Sequence, residues 1–298
     1  MYREYDHEGV ARAYDIPSSL PAAIVAAHLA TYAEWSRRVR SCLPARLDVP
    51  YGERPAQKLD IFMARASGSA PAPILAYFHG GGWRHGSKDE RAFPAEVFTA
   101  AGAIWIAVGY SLCPAVTIDE MIEEARAAMA WLHRHASTFG GDPRRIYVAG
   151  TSAGSHLAAM ALGTQWQSRG LPADLVRGGF LLSGIFDFEP LTHHRFPDPA
   201  ERFRDPARQS APRSHRWLSP MSCLPRAGDV VVAVGENEPA EFRRQSIDYY
   251  DALRKRGLAA KLLLAPGQDH FSFIGEWGRP DSALVRSVCA ELGLLWPA

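Results

Sequence analysis

Cysteine is scarce in this sequence, and the four that occur, Cys42, Cys113, Cys223 and Cys289, stand far apart. No two have the spacing of a zinc site, a redox pair or a compact disulfide framework. That pattern predicts reduced thiols, a cytoplasmic location and no bound metal. An excess of one charge is also missing. The formal net charge is +1, so neither nucleic acid nor an anionic membrane is predicted as a partner. Long hydrophobic runs are absent as well: the longest near the start, 22–30, is too short to cross a bilayer and is interrupted by His28. Residues 1–8 mix both charges without an apolar core, so no secretory leader is predicted. There is no internal repeat and no low-complexity tract. These absences leave a small-molecule substrate as the natural partner, with no cofactor predicted and a homodimer left open.

What is present is an ordinary globular balance, 47% hydrophobic and 22% charged over 298 residues, enough for one large α/β domain with a sizeable core. Short β-rich runs alternate with helical patterns. Eight strands are predicted, at 46–50, 58–63, 74–78, 103–108, 145–149, 179–182, 230–234 and 261–264. The middle and later runs are continuously apolar, as in Val230-Val231-Val232-Ala233-Val234, which suits parallel strands covered on both faces. The first two alternate more and read as an antiparallel edge hairpin. Thr117-Ile118-Asp119-Glu120 has the form of a capping box. After it, Met121, Ile122, Ala125, Met129 and Leu132 share one helical face. Two segments stand outside the alternation: a helical stretch at 1–42, and an irregular excursion at 187–222 rich in Pro, Arg, His and Ser. Both are predicted to form a small cap over the C-terminal strand ends, where ligands bind in such sheets.

Three motifs carry chemistry. The strand 145–149 runs into Gly150-Thr151-Ser152-Ala153-Gly154, and a small-residue helix follows. This strand–turn–helix setting presents a nucleophilic serine on a strained backbone, with glycines on either side giving the turn room. The second motif, His79-Gly80-Gly81-Gly82-Trp83, directly follows the strand 74–78. Acyl transfer needs backbone N–H donors aimed at an oxyanion, and Gly81, Gly82 and Ala153 are the predicted donors. A phosphate loop is excluded because no Gly-Lys-Ser/Thr ending is present.

A serine needs a base, and the base needs an orienting acid. Of eleven histidines, His270 alone sits in a loop just after the last predicted strand, within Pro266-Gly267-Gln268-Asp269-His270-Phe271. His133 and His135 lie near a helix end, and His193 and His194 lie in the polar excursion. The acid should fall between Ser and His and follow a strand. Glu238, after strand 230–234 and before Pro239, is favoured; Glu236, Glu241 and Asp187 are the alternatives.

Together these residues resemble the α/β-hydrolase superfamily, in the branch with a His-Gly-Gly-Gly oxyanion loop that holds hormone-sensitive-lipase-like esterases and kynurenine formamidases. Several segments are more similar to the formamidases: Tyr51-Gly52 through Lys58-Leu59-Asp60-Ile61, Tyr110-Ser111-Leu112-Cys113-Pro114, Asp187-Phe188-Glu189-Pro190-Leu191, and Glu241-Phe242-Arg243-Arg244-Gln245-Ser246. The resemblance implies a triad of Ser152, His270 and Glu238, an oxyanion turn from His79 to Gly82, and Trp83 lining the acyl pocket. It also implies hydrolysis of a small acyl group, with an aryl formamide such as N-formylkynurenine as substrate. A short-chain carboxylesterase and a non-catalytic ligand-binding member of the fold are the other readings. Tyr110, Phe186 and Phe188 are candidates for the aryl side, with plain packing as their alternative role; His79 is a further substrate-binding candidate, with an orienting or packing role in the oxyanion loop as its alternative. The chain departs from the family in having Glu where the acid is more usually Asp, and in a longer, more basic stretch at 193–216.

Overall fold

The computed structural model describes residues 7–14, 16, 19–65, 70–192 and 215–294. Most of the excursion, 193–214 with His193 and His194, lies outside the described residues. The strands are β1 (Ala45–Pro50), β2 (Lys58–Phe62), β3 (Ala72–Phe78), β4 (Ile104–Val108), β5 (Gly141–Thr151), β6 (Val176–Leu182), β7 (Asp229–Gly235) and β8 (Ala260–Ala265). They form one eight-stranded sheet in the order β1-β2-β4-β3-β5-β6-β7-β8. β2 runs antiparallel to β1 and β4, and the remaining pairs are parallel. Each predicted strand overlaps one of these, and the early hairpin is antiparallel as its alternation implied.

The helices are α1 (His7–Tyr14), α2 (Ala22–Cys42), α3 (Ala95–Ala100), α4 (Ile118–His135), α5 (Ala153–Leu162), α6 (Glu189–Thr192), α7 (Ala240–Lys255), α8 (Ser272–Gly275) and α9 (Ala283–Glu291). Strand alternation divides the core in two. On one face Ile74, Ala76, Ile106, Val148 and Val232 pack with α4, α5 and α7; on the other, Leu75, Tyr77, Trp105 and Val231 pack with α3 and α9. The Thr117 capping box forms, with Thr117 Oγ1 accepting from the Glu120 amide and the Glu120 carboxylate reaching back to Thr117.

The parallel strands all end on one side, and the N-terminal helices brace the loops there. Tyr32 of α2 stacks on Phe93 at 5.2 Å, and its hydroxyl donates to the Phe271 carbonyl at 2.8 Å. Tyr14 of α1 packs its ring edge-on to Phe242 and donates to Glu241 at 3.0 Å. Farther along α2, Arg40 and Lys88 share the carboxylates of Asp48, Asp60 and Asp89. Hydrogen bonds to these carboxylates outweigh burial and raise the Lys88 pKa, so the cluster carries its own cations. No helix among the described residues is long and apolar enough to cross a membrane.

Candidate active site

β5 delivers Ser152 to a turn with φ 56° and ψ −123°, and α5 starts at the next residue. A non-glycine residue held there stores about 1–3 kcal/mol, so the surroundings must fix it. The Ser152 amide donates to the Leu182 carbonyl at 2.9 Å, and its own carbonyl accepts from the His156 amide at 3.2 Å. Behind it the chains touch: a Cβ on Gly154 would stand 2.0 Å from the Phe78 carbonyl oxygen. That contact ties the elbow to the end of β3, where the glycine turn begins.

The glycine turn is a left-handed run. Gly81, Gly82 and Trp83 have φ of 129°, 58° and 62°, and the Arg84 and His85 amides close on the Gly81 carbonyl at 3.1 and 3.0 Å. A Cβ on Gly81 would lie 2.0 Å from the His85 carbonyl oxygen, so only glycine fits. His79 and Tyr110 clamp its entrance. Their rings stack at 4.3 Å, and the Tyr110 hydroxyl donates to the His79 carbonyl at 2.6 Å. His79 Nδ1–H donates to the Gly80 carbonyl at 2.8 Å, and burial pushes its pKa down to about 4. His79 is therefore neutral and Tyr110 is an orienting ring. Among the described residues, the amides of Gly81, Gly82 and Ala153 have no hydrogen-bond acceptor. Unpaired donors at a helix start and an adjoining glycine turn suit a developing anion.

His270 follows β8 and is buried. Its Nδ1–H donates to Glu238 Oε2 at 2.6 Å, which leaves a lone pair on Nε2. The other oxygen, Glu238 Oε1, accepts from Ser183 Oγ–H at 2.5 Å and from the Gly235 amide at 2.8 Å. The longer arm of Glu is thus held at both ends. Phe242 lies against the imidazole, with ring centroids 4.9 Å apart. The competing acids are engaged elsewhere. Glu236 accepts from the Gly267 amide, Glu241 meets Tyr14 and Arg244, and Asp187 accepts from the Glu189 amide.

Next to the glycine turn, Trp83 is buried and its Nε1–H points to His156 Nδ1 at 3.3 Å. Phe188 lies 5.3 Å from Trp83 and 4.7 Å from His156. His156 Nε2–H donates to the Leu218 carbonyl at 2.8 Å, and burial holds its pKa down near 4. A neutral His156 therefore joins α5, the glycine turn and the segment at 218. Phe186 takes the packing role that was its alternative. Its ring is fully buried and stacks at 4.3 Å on Tyr249 of α7, in the core. Gln245 of α7, far away in sequence, accepts from the amides of Phe186 and Asp187 and holds the backbone there.

A sequence profile of the alpha/beta hydrolase fold matches residues 75–274. The chain belongs to the α/β-hydrolase family. Within that family the hydrolase is 36% identical over 270 residues to a kynurenine formamidase of Danio rerio, covering 91% of this chain and 89% of the relative. It is 33% identical to a kynurenine formamidase of Salmo salar, covering 91% of this chain and 90% of that one. A solved structure from Silicibacter sp. TM1040, named provisionally as a thioesterase, superposes with a TM-score of 0.75 at 26% identity, covering 92% and 97% of the two chains.

Several supporting residues of the hydrolase escape sequence reasoning. Ser183, with φ 49°, touches the acid, yet it lies 55 positions from Glu238 in the chain. A small polar residue at the end of an apolar strand was the available signal. Tyr14 and Gln245 are 231 positions apart, and no local pattern links them.

Proposed function

We propose that this hydrolase removes the formyl group from an aryl formamide, N-formylkynurenine or a close analogue, through an acyl-enzyme on Ser152. The observation that carries this reading is the buried Trp83–His156–Phe188 wall beside the glycine turn, which supports a small acyl group. The similarity to two kynurenine formamidases supports the formamide.

Ser152 Oγ attacks the formyl carbon while His270 Nε2 takes its proton. The amides of Gly81, Gly82 and Ala153 hold the tetrahedral oxyanion. Glu238 stabilises the imidazolium, which then protonates the aryl nitrogen as the C–N bond breaks. Water, deprotonated by His270, attacks the formyl ester, and formate leaves as Ser152 regains its proton. An aryl amine is a poor leaving group, so protonation must keep pace with bond breaking. The Glu238–His270 contact at 2.6 Å supports that step and speaks against a non-catalytic binding protein. The likeness to a provisionally named thioesterase supports a second reading, a short-acyl esterase running on the same groups. The thiols of Cys42, Cys223 and Cys289, in no disulfide, support a cytoplasmic setting.

The test is a side-by-side measurement of kcat/KM on N-formylkynurenine and on p-nitrophenyl esters of increasing acyl length. The formamidase reading requires turnover of N-formylkynurenine and a steep fall beyond butyryl esters. Equal hydrolysis of octanoyl and acetyl esters, with N-formylkynurenine untouched, leaves a broad esterase.

A further inference from the structure

Among the described residues, two guanidinium groups on the stretch leaving the glycine turn have no carboxylate to answer them. Arg91 is only 8% exposed. Its Nη1–H donates to the backbone carbonyl of Glu90 at 2.9 Å, and its Cζ lies 5.9 Å from the centre of the Tyr32 ring. Arg84 directly follows Trp83, and its Nε and Nη2 are screened from solvent with no hydrogen-bond acceptor. Among the described residues neither arginine forms an ion pair. Among the other half-buried arginines, Arg40 meets Asp60 and Asp89, Arg126 meets Glu123, and Arg244 meets Glu241 and Asp248, while Arg145 donates to the Leu292 carbonyl. Removing a charge from water without a partner is costly. Arg91 is such a charge, and half-buried Arg84 adds two screened N–H groups with no acceptor on the same short stretch; an anion from outside would answer both.

Their position says which anion. Arg84 is carried on the glycine turn itself. Arg91 sits over Tyr32, whose hydroxyl holds the carbonyl of Phe271, the residue after His270. Its charge also opposes protonation of His79, adding to the larger effect of burial there. Arg91 thus lies between the glycine turn and the His270 loop. The Nε–H and Nη2–H edge of Arg84 is the fork that grips a carboxylate with two parallel hydrogen bonds. Glu238 is committed to His270, so no acid of the relay competes for it.

We propose that Arg84 and Arg91 form an anion subsite for a carboxylate on the leaving-group side of the substrate, so that acidic aryl formamides are selected over neutral ones. This rests on the formamidase reading and narrows it to leaving groups that carry an acid, as an amino-acid side chain does. The Arg84 fork holds the carboxylate, and Arg91 supplies uncompensated charge that attracts it.

The experiment compares kcat/KM on N-formylkynurenine and on formanilide, which lacks the acidic side chain. The readout is the ratio of the two. In Arg84→Gln the ratio falls at least tenfold, chiefly through KM, and Arg84→Lys, with charge but no fork, falls between that variant and wild type. Arg91→Gln lowers the ratio less and weakens its dependence on salt. Should Arg91→Gln fail to fold, the Arg84 pair carries the test. A ratio unchanged in folded Arg84→Gln overturns the subsite, as does an equal loss on both substrates. If wild type leaves N-formylkynurenine untouched, the formamidase reading has failed, and 4-acetoxybenzoate against phenyl acetate reads the same subsite. A preference for the acid there that Arg84→Gln abolishes upholds it; no preference in wild type overturns it.

Discussion

Replacing Glu238 with Gln should disable the relay while leaving the fold intact, and the hydrogen bonds around the carboxylate say why. Oε1 accepts from two donors, Ser183 Oγ–H at 2.5 Å and the Gly235 amide at 2.8 Å. A backbone N–H can only donate. The side-chain amide introduced by Glu238→Gln must therefore turn its oxygen toward Gly235 and its NH2 toward His270. Nδ1, which donates to Oε2 at 2.6 Å in the parent, would then face a donor. The imidazole responds by moving its proton to Nε2, the tautomer that cannot accept a proton from Ser152. The corresponding wrong tautomer in serine proteases lowers turnover by about 10⁴, or about 5.5 kcal/mol of barrier. The assay is kcat at saturating substrate near pH 8, alongside a thermal melt. Turnover within tenfold of wild type would refute the argument. So would a comparable loss in Glu236→Gln or Asp187→Asn with Glu238→Gln still active.

Trp83→Ala should open the wall it forms with Phe188 and His156 and flatten the dependence on acyl length. Over-packing a rigid pocket costs about 1–3 kcal/mol, roughly tenfold to a hundredfold in rate, so an unchanged p-nitrophenyl ester profile in this variant counts against an acyl-side role for Trp83. Ser183→Gly and Ser183→Ala should lower kcat alike, by roughly tenfold, through the lost hydrogen bond to a charged group. Because φ is 49° at this position, the Ala variant should be less stable than the Gly variant by about 1 kcal/mol in a thermal melt; an unaffected kcat in Ser183→Gly would remove Ser183 as a positioning residue. His79 and His156 are both held near pKa 4 by burial, against an ordinary 6.5. The unfolded chain thus binds protons first as pH falls, so the stability from these two groups is present above about 6.5 and is lost as pH falls through 4. Melting temperature should drop across that window, and His156→Gln should show the shallower drop; an equally steep drop would mean that His156 is not the group responsible.

Much of the fold was legible because its signals are local. The continuous apolar runs of β3, β4 and β7 have no soluble alternative to a covered sheet, and the Thr117 box places a helix start. The elbow and the glycine turn are also short-range motifs, since each needs particular backbone angles within a few residues. Glu238 could be favoured from its place after a strand and before Pro239. What fixes its carboxylate could not, because Ser183 reaches it from another strand. Phe186 and Phe188 look alike in sequence and both are fully buried, yet Phe186 stacks on Tyr249 whereas Phe188 meets Trp83 and His156; Gln245, on a distant helix, holds the amides of Phe186 and Asp187 between them. In α2 the apolar residues Ile24 and Trp35 remain largely exposed, while the buried stripe is Tyr32, Ser36 and Val39. Distant partners select that face: Phe93 and the 269–275 loop for Tyr32 and Ser36, and the carboxylates of Asp60 and Asp89 for Arg40.

The central claim is that Ser152 is the group acylated during turnover. The direct measurement is labelling of wild type and Ser152→Ala with a fluorophosphonate probe, followed by peptide mass mapping. A single adduct is expected in wild type, on the peptide holding Ser152, with hydrolytic activity lost in step with labelling. Ser152→Ala should take up no label and should not turn over substrate. Equal labelling of both proteins, or retained turnover in Ser152→Ala, would contradict it.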